Sequence, residues 1–268
     1  MKFRLFVLLL IFAGPKLFAQ DSVAIDTTKS EKTTPKKKTS VKIIGVEIGK
    51  KDSDSSSKKV SSKFSFQLTF SRIDLGLATF LDNGSYTLSE ENSFLENKQF
   101  KTSNFGFEFL QTGYRFNSYF KVYLAAGLDW NHIRLKKNVT ILPDQAYLKA
   151  QPEAIKFDKN RFSSNYLRIP LSFQFRTKDD DKGNKVYFVA GPEVGFLITG
   201  KTKQVSDERG KVKFKDDFNF NPFRYGGFAR FGYNGLGVYV KYYANDVFAD
   251  NQGPKDFKNI NFGLMLGF

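Results

Sequence analysis

Charged side chains stand where extended strands would run. Glu108, Lys121, Asp129, Arg168, Glu193, Arg224, Arg230 and Lys241 each lie within a stretch of apolar residues. Lys121 sits between Phe120 and Val122, Asp129 between Leu128 and Trp130, and Arg168 between Leu167 and Ile169. In a period-two pattern these charges share the face opposite the apolar one. Mixed signs suit mutual neutralisation, so the expectation is a salt-bridged structural network. A gated pore or a binding site is the sharper alternative. Nucleophilic or metal chemistry finds little to build on. There is no Cys, and His132 is the single His, so Cys and His ligand clusters are excluded. His132 follows Leu128 and Trp130 on the apolar face, which points to a rim residue and not a base serving a Ser nucleophile. Asp179-Asp180-Asp181 lacks the spaced ligands of a calcium loop and reads as a solvated turn. No catalytic residue, cofactor site or metal site is expected.

Eight alternating segments position these charges. The first runs from Phe64 through Phe66, Leu68 and Phe70, slips phase near Ser71-Arg72, and resumes on Ile73, Leu75 and Leu77; a slip of this kind marks a β-bulge. The second carries Phe105, Phe107 and Phe109, slips near Leu110 and ends at Phe116. The third runs from Phe120 to Trp130, the fourth from Leu167 to Phe175, the fifth from Val186 to Ile198, and the sixth from Phe223 to Phe231. The seventh runs from Leu236 to Tyr242, and the last carries Ile260, Phe262, Leu264, Leu266 and Phe268. Between them, long polar loops (82–102, 136–162, 200–219, 246–257) alternate with short turns at Asn117-Ser118, 179–184 and Asn234-Gly235. Asn-Gly is a strong hairpin signal.

This predicts an all-β, eight-stranded antiparallel up-and-down transmembrane barrel over 64–268, with short turns and both barrel termini on the periplasmic side and long loops outside. Phe64, Phe120, Phe175, Phe188, Phe231 and Phe268 would form the inner aromatic girdle, and Phe105, Trp130 and Phe223 the outer one. The terminal apolar strand would be an exposed pairing hazard in a soluble sandwich but an ordinary stave in a closed barrel. A soluble lipocalin-like barrel is the rival architecture. The mean hydropathy of −0.39 does not argue against membrane strands, because half of each is polar.

Residues 1–20 read as a signal peptide: Lys2 and Arg4, an apolar run from Leu5 to Ala13, then Leu17-Phe18-Ala19-Gln20. Together with a barrel this implies a Gram-negative outer membrane. Residues 21–63 are rich in Ser, Thr and Lys and are expected to form a disordered periplasmic tail. Within it Val41–Gly49 is β-prone, either a transient extended patch or a strand for a partner's edge. The net charge of +15 raises nucleic acid as a partner, but the Lys residues lie in the tail and between strands with no recognition motif, so none is expected. The basic loop residues Lys136, Lys137, Lys149, Lys156, Lys159 and Arg161, with Lys201, Lys203, Arg209, Lys211, Lys213 and Lys215, point instead to phosphates of outer-membrane lipids, including lipopolysaccharide.

Tyr166-Leu167-Arg168-Ile169-Pro170-Leu171-Ser172-Phe173-Gln174-Phe175, followed by Ala190-Gly191-Pro192-Glu193-Val194-Gly195-Phe196-Leu197, resembles the PorT-like outer membrane β-barrel family of Bacteroidota. Arg168 stands where an acidic residue is common in that family. The resemblance implies an outer-membrane barrel and, from its named member, support of protein secretion by the type IX system through a periplasmic or secretion-system partner. It carries over no catalytic residue. The combined expectation is a non-enzymatic structural or interaction protein of the envelope. A small barrel enzyme acting on outer-membrane lipids and a ligand-binding barrel are the alternatives.

Overall fold

The structure, a computed structural model, describes residues 41–43, 46–48, 63–178 and 184–267. The expected signal peptide, most of the tail, Phe268 and the centre of the Asp-rich turn lie outside them. Thirteen strands are described: β1 (Val41–Ile43), β2 (Val46–Ile48), β3 (Phe64–Asp82), β4 (Ser103–Arg115), β5 (Phe120–Arg134), β6 (Val139–Ile141), β7 (Ala150–Pro152), β8 (Lys159–Arg176), β9 (Val186–Ser206), β10 (Gly210–Asp216), β11 (Phe223–Tyr233), β12 (Leu236–Tyr243) and β13 (Phe257–Gly267).

Eight of these close into a ring in the order β3, β4, β5, β8, β9, β11, β12, β13, and β13 pairs antiparallel with β3 from Phe257↔Asp82 to Gly267↔Arg72. They are the eight segments read from alternation. Both expected slips are real, with register breaks between Leu68 and Arg72 and between Glu108 and Leu110. Asn234 and Gly235 both take positive φ (46° and 83°), the type I′ geometry that follows the twist of the flanking strands. Exposed Phe and Leu side chains cover the outside, among them Phe64, Phe175, Phe188, Phe231 and Leu264. The charges face inward, so the lipocalin-like arrangement does not apply.

Two stretches differ from the sequence reading. The expected loops 136–162 and 200–219 hold further strand. β8 begins at Lys159, β9 continues to Ser206, β10 folds back on it, and β6 pairs β7 as a separate hairpin. Lys201, Lys203 and Val205 alternate with Thr202, Gln204 and Ser206, so both faces are largely polar and the period-two signal vanishes although the ladder persists. The long connections also fold instead of remaining polar loops. They bury Leu95, Ile141, Leu148, Phe218, Phe220 and Phe248 in one apolar cluster over the barrel end. Within it Phe162 and Phe220 stack at 4.7 Å and Phe220 and Phe248 at 5.5 Å. Asp82 ties the first connection down, accepting from Ser89 N–H and Oγ at 2.7 Å and from Asn92 at 3.0 Å.

The β-prone patch in the tail pairs with the chain's own edge. β1 and β2 form an antiparallel hairpin, and β1 lies parallel to β3 at Lys42↔Gln67 and Ile43↔Leu68. Because β13 pairs β3 only as far as Arg72, this first part of β3 is open on that side, and an open strand edge takes a further strand readily.

The Ile-Pro-Leu and Gly-Pro segments face one another on β8 and β9. The ladder runs to Pro170↔Glu193 and resumes at Phe173↔Ala190; proline has no N–H to give a ladder. A Cβ on Gly191 would run into the Leu171 carbonyl. Gly191→Ala is therefore expected to destabilise the barrel by about 1–3 kcal/mol, read as a lower temperature at which the unboiled, fast-migrating gel band converts to the boiled one.

Candidate functional site: a sealed lumen and a basic outer face

Inside the ring, the alternation brings charge to one level. Arg168 on β8 reaches three carboxylates: Nη2 lies 2.8 Å from Glu108 Oε1, and Nη1 lies 3.1 Å from Asp74 Oδ2 and 3.3 Å from Glu193 Oε2. Arg230 on β11 shares Glu108 at 2.8 Å. Lys241 on β12 bridges Asp74 at 2.8 Å and Asp129 at 2.9 Å. Arg224 binds Asp129 at 2.7 Å and is held between the rings of Tyr166 and Tyr243, each 4.0 Å away. Gly195 leaves room for it, since a Cβ there would press on the Arg224 side chain. Tyr243 in turn donates to Glu193 at 2.6 Å.

Seven of the eight residues singled out in the sequence thus meet in one network. Lys121 does not. It lies at the mouth on the short-turn side, with its Nζ 5.0 Å from the Tyr123 ring centroid, beside Arg115 and Arg176 in a mouth cavity of about 260 Å³. Its strand begins at Phe120, so the side chain is one residue inside the barrel end and cannot reach the central layer. Two members were missed, Asp74 and Arg72. Asp74 is fully buried and contacts three cations; Arg72 approaches Glu108 at 3.5 Å and donates to Tyr123 at 2.7 Å. The signal for Asp74 was present, between Ile73 and Leu75, directly after the bulge.

The network sits between apolar layers. The Phe-rich cap lies on the long-connection side, and Tyr123, Val189, Phe228 and Met265 fill the short-turn half. Arg168, Arg230, Lys241, Glu108, Asp74 and Asp129 are all buried to within 1%. The cavity under the cap, beside Phe80, Tyr166 and Tyr243, measures only about 20 Å³, room for roughly a single water. This interior is filled by charge: four carboxylates and five cations contact one another in a buried layer.

The outer wall carries a different feature. On the bilayer-facing side, a cleft of about 360 Å³ opens above Phe105 and Trp130 and is lined by His132, Arg161, Ser163 and Lys201. His132 stands opposite Ser163 in register, with Nδ1 3.2 Å from Ser163 Oγ. His132 is therefore an outward rim residue, as its phase required, but it has a serine partner that only the β5–β8 register reveals. No group of His, Asp or Glu among the described residues is arranged to hold a metal ion.

Removing one network carboxylate strands its cations in a dry layer. Glu108→Gln is expected to destabilise the barrel by about 3–5 kcal/mol in denaturant unfolding from lipid vesicles, while Lys98→Gln, on an exposed loop, leaves the midpoint in place.

The family comparison agrees with this architecture. No curated protein matches the sequence. Among solved structures, the chain is similar to the attachment invasion locus protein Ail of Yersinia pestis, at 14% identity over 76% of this chain and 95% of that one, with a TM-score of 0.32. It is likewise similar to Ail in complex with the heparin analogue sucrose octasulfate, at 15% identity over 76% and 96% and the same TM-score. The outer membrane protein beta-barrel domain matches residues 27–248. The chain belongs to the outer membrane protein beta-barrel domain family, and it is an outer-membrane protein that crosses the bilayer with its strands.

Proposed function

We propose that this barrel is a non-enzymatic structural or interaction protein of the outer membrane, related in role to PorT-like support of protein secretion in Bacteroidota, with a secreted N-terminus and partners recruited outside the lumen. The observation that supports this reading is the filled interior. A transport role needs a path and a ligand-binding barrel needs a cavity, whereas the charges of this lumen are spent on one another beneath a cap of stacked Phe. The tail and the outer wall are then the surfaces left for partners.

One contact favours a second reading, an enzyme acting on outer-membrane lipids. Ser163 and His132 face the bilayer at the rim, within hydrogen-bond reach, and Asn165 lines the same cleft. Base catalysis would place a positive charge on the imidazole. Arg161 and Lys201 share its cleft and oppose that charge, and none of the described carboxylates bonds the ring. The non-enzymatic reading is therefore preferred.

Purified protein in planar bilayers is expected to show no stable conductance, and labelled phospholipid or lipid A incubated with wild type or Ser163→Ala is expected to stay intact. Steady channels would overturn the sealed lumen, and product formed by wild type but not by Ser163→Ala would establish the enzyme. For the secretion role, deletion of the chain is expected to reduce surface delivery of secreted proteins; unchanged delivery would remove that part.

A further inference from the structure

Where β8, β9 and β10 rise beyond the barrel rim, their two faces differ completely. Phe162, Asn160, Thr202 and Gln204 point beneath the folded connections and are buried; Gln204 donates to Thr140 at 3.0 Å and Asn160 to the Val139 carbonyl at 2.6 Å. The other face continues the bilayer-facing side of the staves, and the register stacks cations across it. One row reads Arg134, Arg161, Lys203, Lys213; the row nearer the membrane reads His132, Ser163, Lys201, Lys215; the outermost reads Lys159, Val205, Lys211. No Asp or Glu occupies these rows, and none of their eight cations makes a salt bridge among the described residues. Like charges directly opposite one another in a sheet are destabilising, so this arrangement is costly unless something anionic meets it.

A register shift builds the face. Along β9 the outward residues are even-numbered as far as Phe196 and Ile198, and the ladder breaks step where Asn165 pairs Thr199 but Tyr166 pairs Leu197. The extra residue turns Lys201 and Lys203 outward, in line with Arg161. Lys213 is held below the usual lysine range, chiefly by Lys211 and Lys201; Lys203 is also lowered, first by desolvation and then by Lys159 and Lys211. At the foot of the face lies the cleft above Phe105 and Trp130, where Arg161 Nε and Asn165 Oδ1 are buried without a hydrogen-bond partner.

We infer that this four-strand face, formed by β5, β8, β9 and β10, is a docking site for the phosphate groups of outer-leaflet lipid, seated in the cleft at His132, Arg161, Ser163 and Lys201 and extending over Lys203, Lys211 and Lys213. Position selects a lipid over a soluble polyanion. The rows share the side of the wall on which Phe105 and Trp130 meet the acyl chains, and Arg134 lies only about 13 Å along the strand from Trp130. One molecule thus meets apolar wall and cations together. Two other basic residues of this end are already neutralised: Lys136 pairs with Glu96 at 2.6 Å and Arg209 with Glu153 at 3.2 Å. The inference deepens the interaction role proposed above by naming its lipid partner, and its test reads binding, separately from conductance, lipid turnover or secretion.

The experiment compares retention of bisphosphorylated lipid A by the purified full chain in micelles with retention of the same lipid stripped of phosphate and with binding of inorganic polyphosphate. Replacing Lys201, Lys203, Lys211 and Lys213 together by Gln is expected to weaken lipid A binding at least about tenfold. The same change at Lys98, Lys101, Lys149 and Lys156 should leave it within about twofold. Single Lys213→Glu, on an exposed strand, is expected to weaken binding in the same direction and serves where the fourfold variant fails to give a heat-shifted band. Equal loss in both fourfold sets, undiminished binding of dephosphorylated lipid, or tight polyphosphate binding without lipid A binding would each overturn the proposal, the last by assigning the face to a soluble polyanion.

Discussion

A charged side chain cannot face the hydrocarbon of a bilayer without a cost of a few kcal/mol, and a backbone N–H or C=O cannot go unpaired there. The two constraints act on the same residues. Pairing closes the ring through β13 and β3, and ring closure gives every strand one side toward lipid and one toward the lumen. Any ionisable residue at strand depth must then turn inward and find a partner. Arg168 illustrates the result, with three carboxylates from three other strands within 3.3 Å. The network is a consequence of where charge is allowed, and it fills a ring of eight strands, whose interior is only wide enough for side chains. Barrel size and lumen chemistry are one fact seen from two sides.

That reasoning explains what the sequence makes legible. Alternation is a local property, so the staves, both bulges and the inward set Glu108, Asp129, Arg168, Glu193, Arg224, Arg230 and Lys241 follow from reading two residues at a time. Which carboxylate meets which cation is not local. Glu108 and Arg230 are 122 residues apart and touch only because of shear and register. Depth along the strand also escapes a face assignment, which is why Lys121 shares a face with the network but not a level. Asp74 hid behind the slip at Ser71-Arg72: on the far side of a bulge the phase must be restarted before an inward residue is recognised.

The folded connections were illegible for a different reason. Phe218, Phe220, Phe248 and Leu95 come from separate connections with no shared period, and their burial exists only once the barrel gathers the connections at one end. The polar strand extensions fail in the opposite way. Lys201 to Ser206 alternates, but between two polar classes, so nothing in the composition separates strand from loop. Only pairing to Arg161 on one side and Lys213 on the other makes the rows of cations visible. The Ser163 partner of His132 depends on the same register.

A sealed lumen and a bare cationic wall constrain function together. Evolutionary freedom in a small barrel lies where neither lipid nor lumen dictates the side chain, which leaves the part of the wall above the rim and the segment preceding β3. Charges in the lumen are bound to each other and their loss would be felt first as instability. Charges on the outer rows repel one another and contribute no folding energy, so their density there has no structural account. The rows also begin where the apolar wall ends, at Phe105 and Trp130, with the switch made by one extra residue in β9. A single bulge thereby switches the bilayer-facing side of β9 from apolar residues to lysines, and under the lipid-docking proposal this places recognition on the surface of the barrel, not through it.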